Sequence, residues 1–195
     1  SLYLRYSKRR YLKFYRSFTR FQMKCFFHVA LTHFKYAASD CIIDNTNLAV
    51  YSGSGPDAVM SSEMIAFARD HGNFKWKAHR IMHSDRKGGV ESGFWFIETN
   101  FFPGRKFESL EDLNQQALIW ATQRISQKPH AKTKLIPAEL FEFEKSHLKK
   151  LPSFMPEPAL LHGREIDKYG YAPFNGNFYW VPGSGRGAVQ IIEYS

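Results

Sequence analysis

The order of short apolar segments along the chain is the strongest constraint on its fold. Residues 2–6 and 11–15 are rich in aromatic side chains, and they are predicted as two strands joined by a basic turn. A helix is predicted over 19–34, because apolar residues recur there at helical spacing. The short apolar run Cys41–Ile43 is followed by polar residues, which is typical of a buried strand of a parallel sheet whose polar residues begin at its C-terminal end.

The same alternation continues through the next part of the chain. The patterns predict a helix over 63–71, a strand over 74–81, a helix from about Gly89 to Pro103, and a helix over 110–123. Strands that alternate with helices indicate the α/β class, with a mixed sheet and helices on its faces. In such folds ligands bind outside the carboxyl ends of the strands.

The character of the sequence changes after residue 126, where prolines accumulate between short apolar segments. Residues 149–167 are predicted as a linker, and 177–181 and 188–193 as strands of a small β module. The predicted organisation is a partial α/β core over 1–126, an extended tail and linker over 127–168, and a C-terminal β module over 169–195.

The positive charge is concentrated at the beginning of the chain. The sequence has 27 Lys and Arg, 18 Asp and Glu, and a net charge of +9, yet no acidic residue precedes Asp40. This excess indicates a polyanionic partner, either nucleic acid or an anionic membrane surface, or else a solvated basic face. Arg9, Arg10 and Lys13 are the candidate DNA-binding residues here. We expect no membrane span, since no stretch reaches about 18 consecutive apolar residues, and we expect no membrane among the partners.

Two acidic residues are candidates for a metal site. Asp44 follows the predicted buried strand, and Glu91 lies in the first turn of a predicted helix. Mg²⁺ is commonly held by one or two carboxylates, and paired ions support in-line displacement at phosphorus. Two structural alternatives stay open. Asp-Asn after a strand is common in turns, and a Glu in the first turn interacts favourably with the helix dipole.

Four segments of the sequence together resemble a known protein family. They are Cys41–Asn45, Lys87–Phe94, Phe102–Phe107 followed by Leu110–Asn114, and a trailing series that contains His130, Thr133, Pro137, Phe141, Glu144, Leu151 and Pro152. In this order and spacing they are similar to the integrase-core transposases of bacterial insertion sequences, of the IstA type. Residues 177–182 also resemble the beginning of that family's C-terminal β module.

The resemblance implies an RNase H-like core of the retroviral-integrase superfamily and metal-dependent DNA cleavage and strand transfer. Asp44 and Glu91 match the second and third acids of the DDE triad, so they are implied as catalytic ligands of Mg²⁺ or Mn²⁺. Lys87 is implied as a contact with the DNA backbone. The implied partners are element-end and target DNA, a helper ATPase and further copies of the chain. The implied location is the bacterial cytoplasm, in association with the nucleoid.

The chain departs from the family pattern at its beginning. The family's first acid lies on a strand that precedes the predicted hairpin, and no acidic residue stands before Asp40. We therefore expect an N-terminally truncated transposase, with its first strand missing, that is inactive alone. The alternatives are a non-catalytic nucleic-acid-binding protein that uses the basic N-terminal region, and an RNase H-like nuclease of another kind.

Overall fold

The computed structural model describes residues 1–79, 93–183 and 187–194. The chain forms two compact units, Ser1–Pro156 and Glu157–Ser195. Helices and strands both contribute to the first unit, so the predicted mixed α/β class is confirmed. Within the described ranges, no helix is both long and apolar enough to cross a membrane.

Five helices lie in the described part of the chain, and a serine caps the N-terminus of two of them. The helices are α1 (Arg20–Phe34), α2 (Ser62–Asp70), α3 (residues 93–100), α4 (Leu110–Ile119) and α5 (Pro137–Glu144). Ser61 Oγ accepts a hydrogen bond from the Met64 N–H before α2, and Ser109 Oγ accepts one from the Asp112 N–H before α4. Each cap supplies a partner for an N–H that has none inside the helix.

The strands of the described residues form two-stranded sheets. They are β1 (Leu2–Tyr3), β2 (Arg10–Tyr11), β3 (Tyr36–Ala37), β4 (Asp40–Ile43), β5 (Val50–Ser52), β6 (Val59–Met60), β7 (Lys75–Ala78), β8 (Lys149–Lys150), β9 (Ala159–Glu165), β10 (Tyr171–Phe174), β11 (Asn177–Trp180) and β12 (Ala188–Tyr194). The antiparallel pairs are β1–β2, β3–β8, β5–β6, β9–β12 and β10–β11, whereas β4 and β7 run parallel.

The parallel pair β4–β7 has one face toward the core and one toward solvent. Cys41 lies opposite Trp76 on the inner face, and burial raises the pKa of the Cys41 thiol to about 12. Ile42 lies opposite Lys77 on the outer face, where Ile42 is 56% exposed. Because parallel strands need a long connection, β5, β6 and α2 all lie between β4 and β7 in the chain.

Trp76 is the contact point of three elements in the main core of the first unit. Its indole Nε1 donates to the Met64 carbonyl oxygen of α2 at 2.7 Å. Its ring centroid lies 4.8 Å from that of Phe27 of α1, edge to face, and 4.8 Å from that of Phe74. Such aromatic contacts add stability beyond the area they bury. The tryptophan thus fixes both helices against β7.

A second core cluster surrounds Phe101 and joins α3 to α4. Its fully or nearly fully buried members are Leu12, Ile97, Phe101, Ala117, Trp120 and Ala121. Asn114 ties the chain after β2 to α4, because its Oδ1 accepts from Phe14 N at 2.6 Å and its Nδ2 donates to Phe14 O at 3.0 Å. One amide side chain thereby replaces the backbone partners that a neighbouring strand would provide.

The second unit consists, in its described part, of two antiparallel strand pairs. β9 and β12 pair over seven positions, from Ala159 opposite Tyr194 to Glu165 opposite Ala188. β10 and β11 are joined by Asn175-Gly176, both with positive φ, which is the turn chemistry of a tight hairpin.

The structure confirms several of the sequence predictions and differs from others. The predicted helix over 19–34 and the strand over 41–43 are present, whereas the N-terminal strands are shorter than predicted. Residues 149–167, predicted as a linker, contain β8 and β9, and the boundary between the two units lies within them, after Pro156. Helix α5 was not predicted, since the prolines around it favoured an extended chain. The domain boundaries at 126 and 168 stay predictions.

Substituting Phe101 tests the second core cluster. Phe101 is fully buried against four aromatic rings, so Phe101→Ala should lower the free energy of unfolding by about 3–5 kcal/mol. Phe94→Ala is the matched control, because Phe94 is 55% exposed and lies nearby in α3. Urea unfolding followed by tryptophan fluorescence measures both. Equal losses in the two variants would contradict this packing.

Candidate functional site

Asp44 lies directly after β4 and is exposed. Its Oδ1 accepts a hydrogen bond from the Asn45 N–H at 2.9 Å, and its backbone carbonyl accepts one from the Thr46 N–H at 2.7 Å. The carboxylate is therefore held by the local backbone while it stays accessible to solvent. This is the place at the strand end that the sequence predicted for it.

The carboxyl ends of β4 and β7 lie side by side. The His79 N–H donates to the Ile43 carbonyl oxygen at 2.8 Å, which extends the parallel ladder by one bond. Asn45 Nδ2 then donates to the His79 carbonyl oxygen at 2.8 Å. The first residues after both strands are thus joined, as expected for neighbouring parallel strands.

A glycine-rich loop forms the other side of this sheet edge. The Gly55 N–H donates to Asn45 Oδ1 at 2.9 Å, at the beginning of a 3₁₀ turn over Gly55–Asp57. An open cavity of about 350 Å³ lies against this turn. It is lined by Gly55, Pro56, Ala58, Met60, Trp76, Lys77 and Ala78.

The chemistry available at this edge is that of an exposed carboxylate. Hard divalent cations prefer such oxygen ligands, so Asp44 fits one ligand position of a Mg²⁺ or Mn²⁺ site. Glu91 and Lys87, the other predicted residues of the site, lie outside the described residues. Within 1–79, 93–183 and 187–194, no group of three or more His, Cys, Asp or Glu side chains could hold a metal ion.

Arg10 is buried rather than solvated. It is 7% exposed, and its guanidinium carbon lies 4.9 Å from the centroid of the Tyr3 ring and 5.9 Å from that of Phe96. Its Nη1 donates to the Gly93 carbonyl oxygen at 3.2 Å, which links the hairpin β1–β2 to the described beginning of α3. Burial lowers the pKa of Arg10 from its ordinary value, and Tyr3 opposes this shift.

The other two predicted DNA-binding residues are half-buried beside aromatic rings. The Arg9 guanidinium lies over Phe141 at 5.2 Å from the ring centroid, and the Lys13 ammonium lies over Tyr15 at 5.3 Å. Burial lowers the pKa of Arg9, and nearby Glu142 partly offsets this. DNA binding by Arg9, Arg10 and Lys13 stays a prediction.

Comparison with known proteins gives a consistent result. The transposase for insertion sequence element IS21 of Pseudomonas aeruginosa is 29% identical over 167 residues, which cover 85% of this chain and 43% of that protein. The transposase for an IS21-like element of Bacteroides fragilis is 24% identical over 79% of this chain and 30% of its own length. The transposase for element IS640 of Shigella sonnei is 32% identical over 47% of this chain and 29% of its own length.

The chain is similar to insertion-sequence transposases. The resemblance found from the motifs is thereby confirmed, and it extends over about four-fifths of the chain for the first two relatives. The chain spans less than half the length of the transposases it matches. No protein-family model matches the chain.

Asn45 is the residue of this site whose contacts were not foreseen. In the sequence it belongs to an Asp-Asn pair that is common in turns, and this pattern predicts no partner for its side chain. The available signal was chemical, because an amide carries both a donor and an acceptor and can join two backbone segments. The partners of its side chain are Gly55 and His79, which are 10 and 34 positions away in the chain. Only the tertiary fold brings them next to Asn45.

Substituting Arg10 separates a structural role from a surface role. Arg10→Ala removes a partly buried hydrogen bond to Gly93 and two ring contacts, so we expect the free energy of unfolding to fall by about 2–3 kcal/mol. The matched control is Arg16→Ala, because Arg16 is exposed and such substitutions usually change stability by less than about 0.5 kcal/mol. Urea unfolding curves measure both, and an unchanged stability for Arg10→Ala would refute the structural role.

Proposed function

We propose that this chain is part of a transposase that cleaves DNA and transfers DNA strands in the transposition of an insertion sequence. The observation that carries the proposal is the similarity to insertion-sequence transposases over 79–85% of the chain. The matched regions cover only 43% and 30% of those two transposases. We therefore assign the complete reaction to a protein that is longer than the matched region. The proposal assigns this segment to the catalytic core.

The position of Asp44 supports this assignment. An exposed carboxylate at the carboxyl end of a parallel strand pair lies where α/β folds place their ligand sites. We assign Asp44 and Glu91 as the residues that hold Mg²⁺ or Mn²⁺, with Lys87 as a contact to the DNA backbone. When bound, the ion would supply Lewis-acid stabilisation of negative charge on phosphate oxygens. The contribution of the chain is to hold its carboxylate oxygens at the sheet edge.

The proposal includes the architecture and the partners. The first unit would be an RNase H-like core, and the second would belong to a small β-barrel module. DNA would bind in two forms, the ends of the element and the target. A helper ATPase and further copies of the chain would complete the assembly, in the bacterial cytoplasm and at the nucleoid.

A non-catalytic nucleic-acid-binding protein is the second candidate, and the basic residues before Asp40 favour it. Both candidates expect DNA affinity that falls steeply with salt, because cations on the protein release counterions from DNA. They differ in the role of metal. Only the transposase proposal requires that a divalent ion bind to the Asp44 carboxylate.

Metal titration of the chain tests the proposal directly. We expect calorimetry to detect Mn²⁺ binding to the wild type, and Asp44→Asn to weaken it by about tenfold or more, because the neutral amide loses a charged ligand. Asp57→Asn is the matched control, since Asp57 is another exposed carboxylate in the adjacent turn. It should leave the Mn²⁺ affinity unchanged.

The result that rejects the proposal is equal Mn²⁺ affinity in the wild type and in Asp44→Asn. Fluorescence anisotropy with a DNA duplex then tests the second candidate, a non-catalytic nucleic-acid-binding protein. That candidate predicts that salt weakens DNA binding equally in the wild type and in Asp44→Asn, with or without EDTA.

A further inference from the structure

We propose that Asn45 is the positioning residue of the Asp44 carboxylate. Its side-chain amide joins the end of β7 to the turn Gly55–Asp57, and its backbone N–H holds Asp44 Oδ1. The role assigned to Asp44 rests on the proposed function, whereas the contacts of Asn45 do not.

The side-chain amide of Asn45 acts both as a hydrogen-bond donor and as a hydrogen-bond acceptor. Nδ2 donates to the His79 carbonyl oxygen at 2.8 Å, and Oδ1 accepts from the Gly55 N–H at 2.9 Å. Both lengths are typical of well-formed hydrogen bonds. Because an amide group offers a donor and an acceptor on one rigid plane, Asn45 is fixed from two sides.

The loop on the Gly55 side is itself restricted. Gly55 is buried with φ +56°, and Pro56 follows it at the second position of the 3₁₀ turn. Gly53 has φ +72°, and a Cβ there would collide with the Asp57 carbonyl oxygen. This backbone needs glycine at residue 53, and the positive φ of Gly55 favours glycine there. The Gly55 N–H is therefore held in place before Asn45 binds it.

The backbone of Asn45 connects these anchors to the carboxylate. Its N–H donates to Asp44 Oδ1 at 2.9 Å, so the orientation of the carboxylate follows the orientation of this peptide unit. Asp44 O also accepts from the Thr46 N–H at 2.7 Å. Anchoring the Asn45 side chain thus restricts the same peptide that orients Asp44. A carboxylate held in one orientation loses less conformational freedom when it binds an ion.

The chemistry of the amide predicts graded effects of substitution. Asn45→Ala removes both side-chain bonds. Asn45→Asp keeps an acceptor for the Gly55 N–H but has no donor for the His79 carbonyl oxygen, since an ionised carboxylate only accepts. The Asp variant should therefore retain the contact with Gly55 and lose the contact with β7.

The experiment measures amide hydrogen exchange by NMR and Mn²⁺ affinity by calorimetry in Asn45→Ala, Asn45→Asp and Thr46→Ala. Thr46→Ala is the matched control, because it removes a hydrogen bond from the same loop, Leu48 N to Thr46 Oγ1 at 3.3 Å. We expect Asn45→Ala to accelerate exchange at the backbone amides of residues 45 and 55 by about tenfold and to weaken Mn²⁺ binding by about tenfold. Thr46→Ala should change none of these three quantities by more than about twofold.

The outcomes separate this inference from the proposed function. If Asn45→Ala binds Mn²⁺ like the wild type while Asp44→Asn does not, the positioning role is overturned and the proposed function stands. If Asp44→Asn leaves Mn²⁺ affinity unchanged, the proposed function fails and the exchange rates decide the inference. Faster exchange at both amides supports the positioning role, and faster exchange at residue 55 alone overturns it.

Discussion

The parallel pairing of β4 with β7 is the constraint on which the rest of the first unit depends. Two parallel strands cannot be joined by a short turn, so the connection must leave the sheet edge and return. It does so through β5, β6 and α2. On its return, Trp76 of β7 meets both helices, with its N–H bonded to Met64 of α2 and its ring against Phe27 of α1. The same pairing brings the ends of both strands together at one edge, and so it creates the surroundings of Asp44.

The elements predicted correctly are those whose pattern is local and continuous. Helix α1 has an apolar stripe over four turns, and β4 is a short apolar run that ends in polar residues. The strand β9 was missed for a physical reason. Its own residues alternate in burial, as a strand does, but its partner β12 lies more than 20 residues later, and the prolines before it favoured a linker. Helix α5 begins at Pro137, where a proline is well tolerated at the first position.

The residues of the candidate site also differ in how far the sequence alone predicts them. The position of Asp44 could be predicted, because a residue that follows a parallel strand must emerge at the sheet edge, although β4 itself is half-exposed rather than buried as predicted. The role of Asn45 could not, because both of its side-chain partners belong to segments that only the fold brings near. Asn114 behaves in the same way, since its amide satisfies both backbone groups of Phe14, 100 positions away. In both places one amide side chain does what a neighbouring strand would otherwise do.

The basic N-terminal region shows why charge alone is a weak guide to a partner. Arg10 is buried between aromatic rings, and Arg9 lies over Phe141. Arg20 and Lys24 both reach Glu63, and the hydrogen bond from Lys24 holds the pKa of Glu63 below its ordinary value. These four basic residues, together with Lys13 over the Tyr15 ring, therefore have partners within the chain. Because cations that pack on rings or pair with a carboxylate are less available to phosphate, the inference of DNA as a partner depends on the similarity to transposases more than on the net charge.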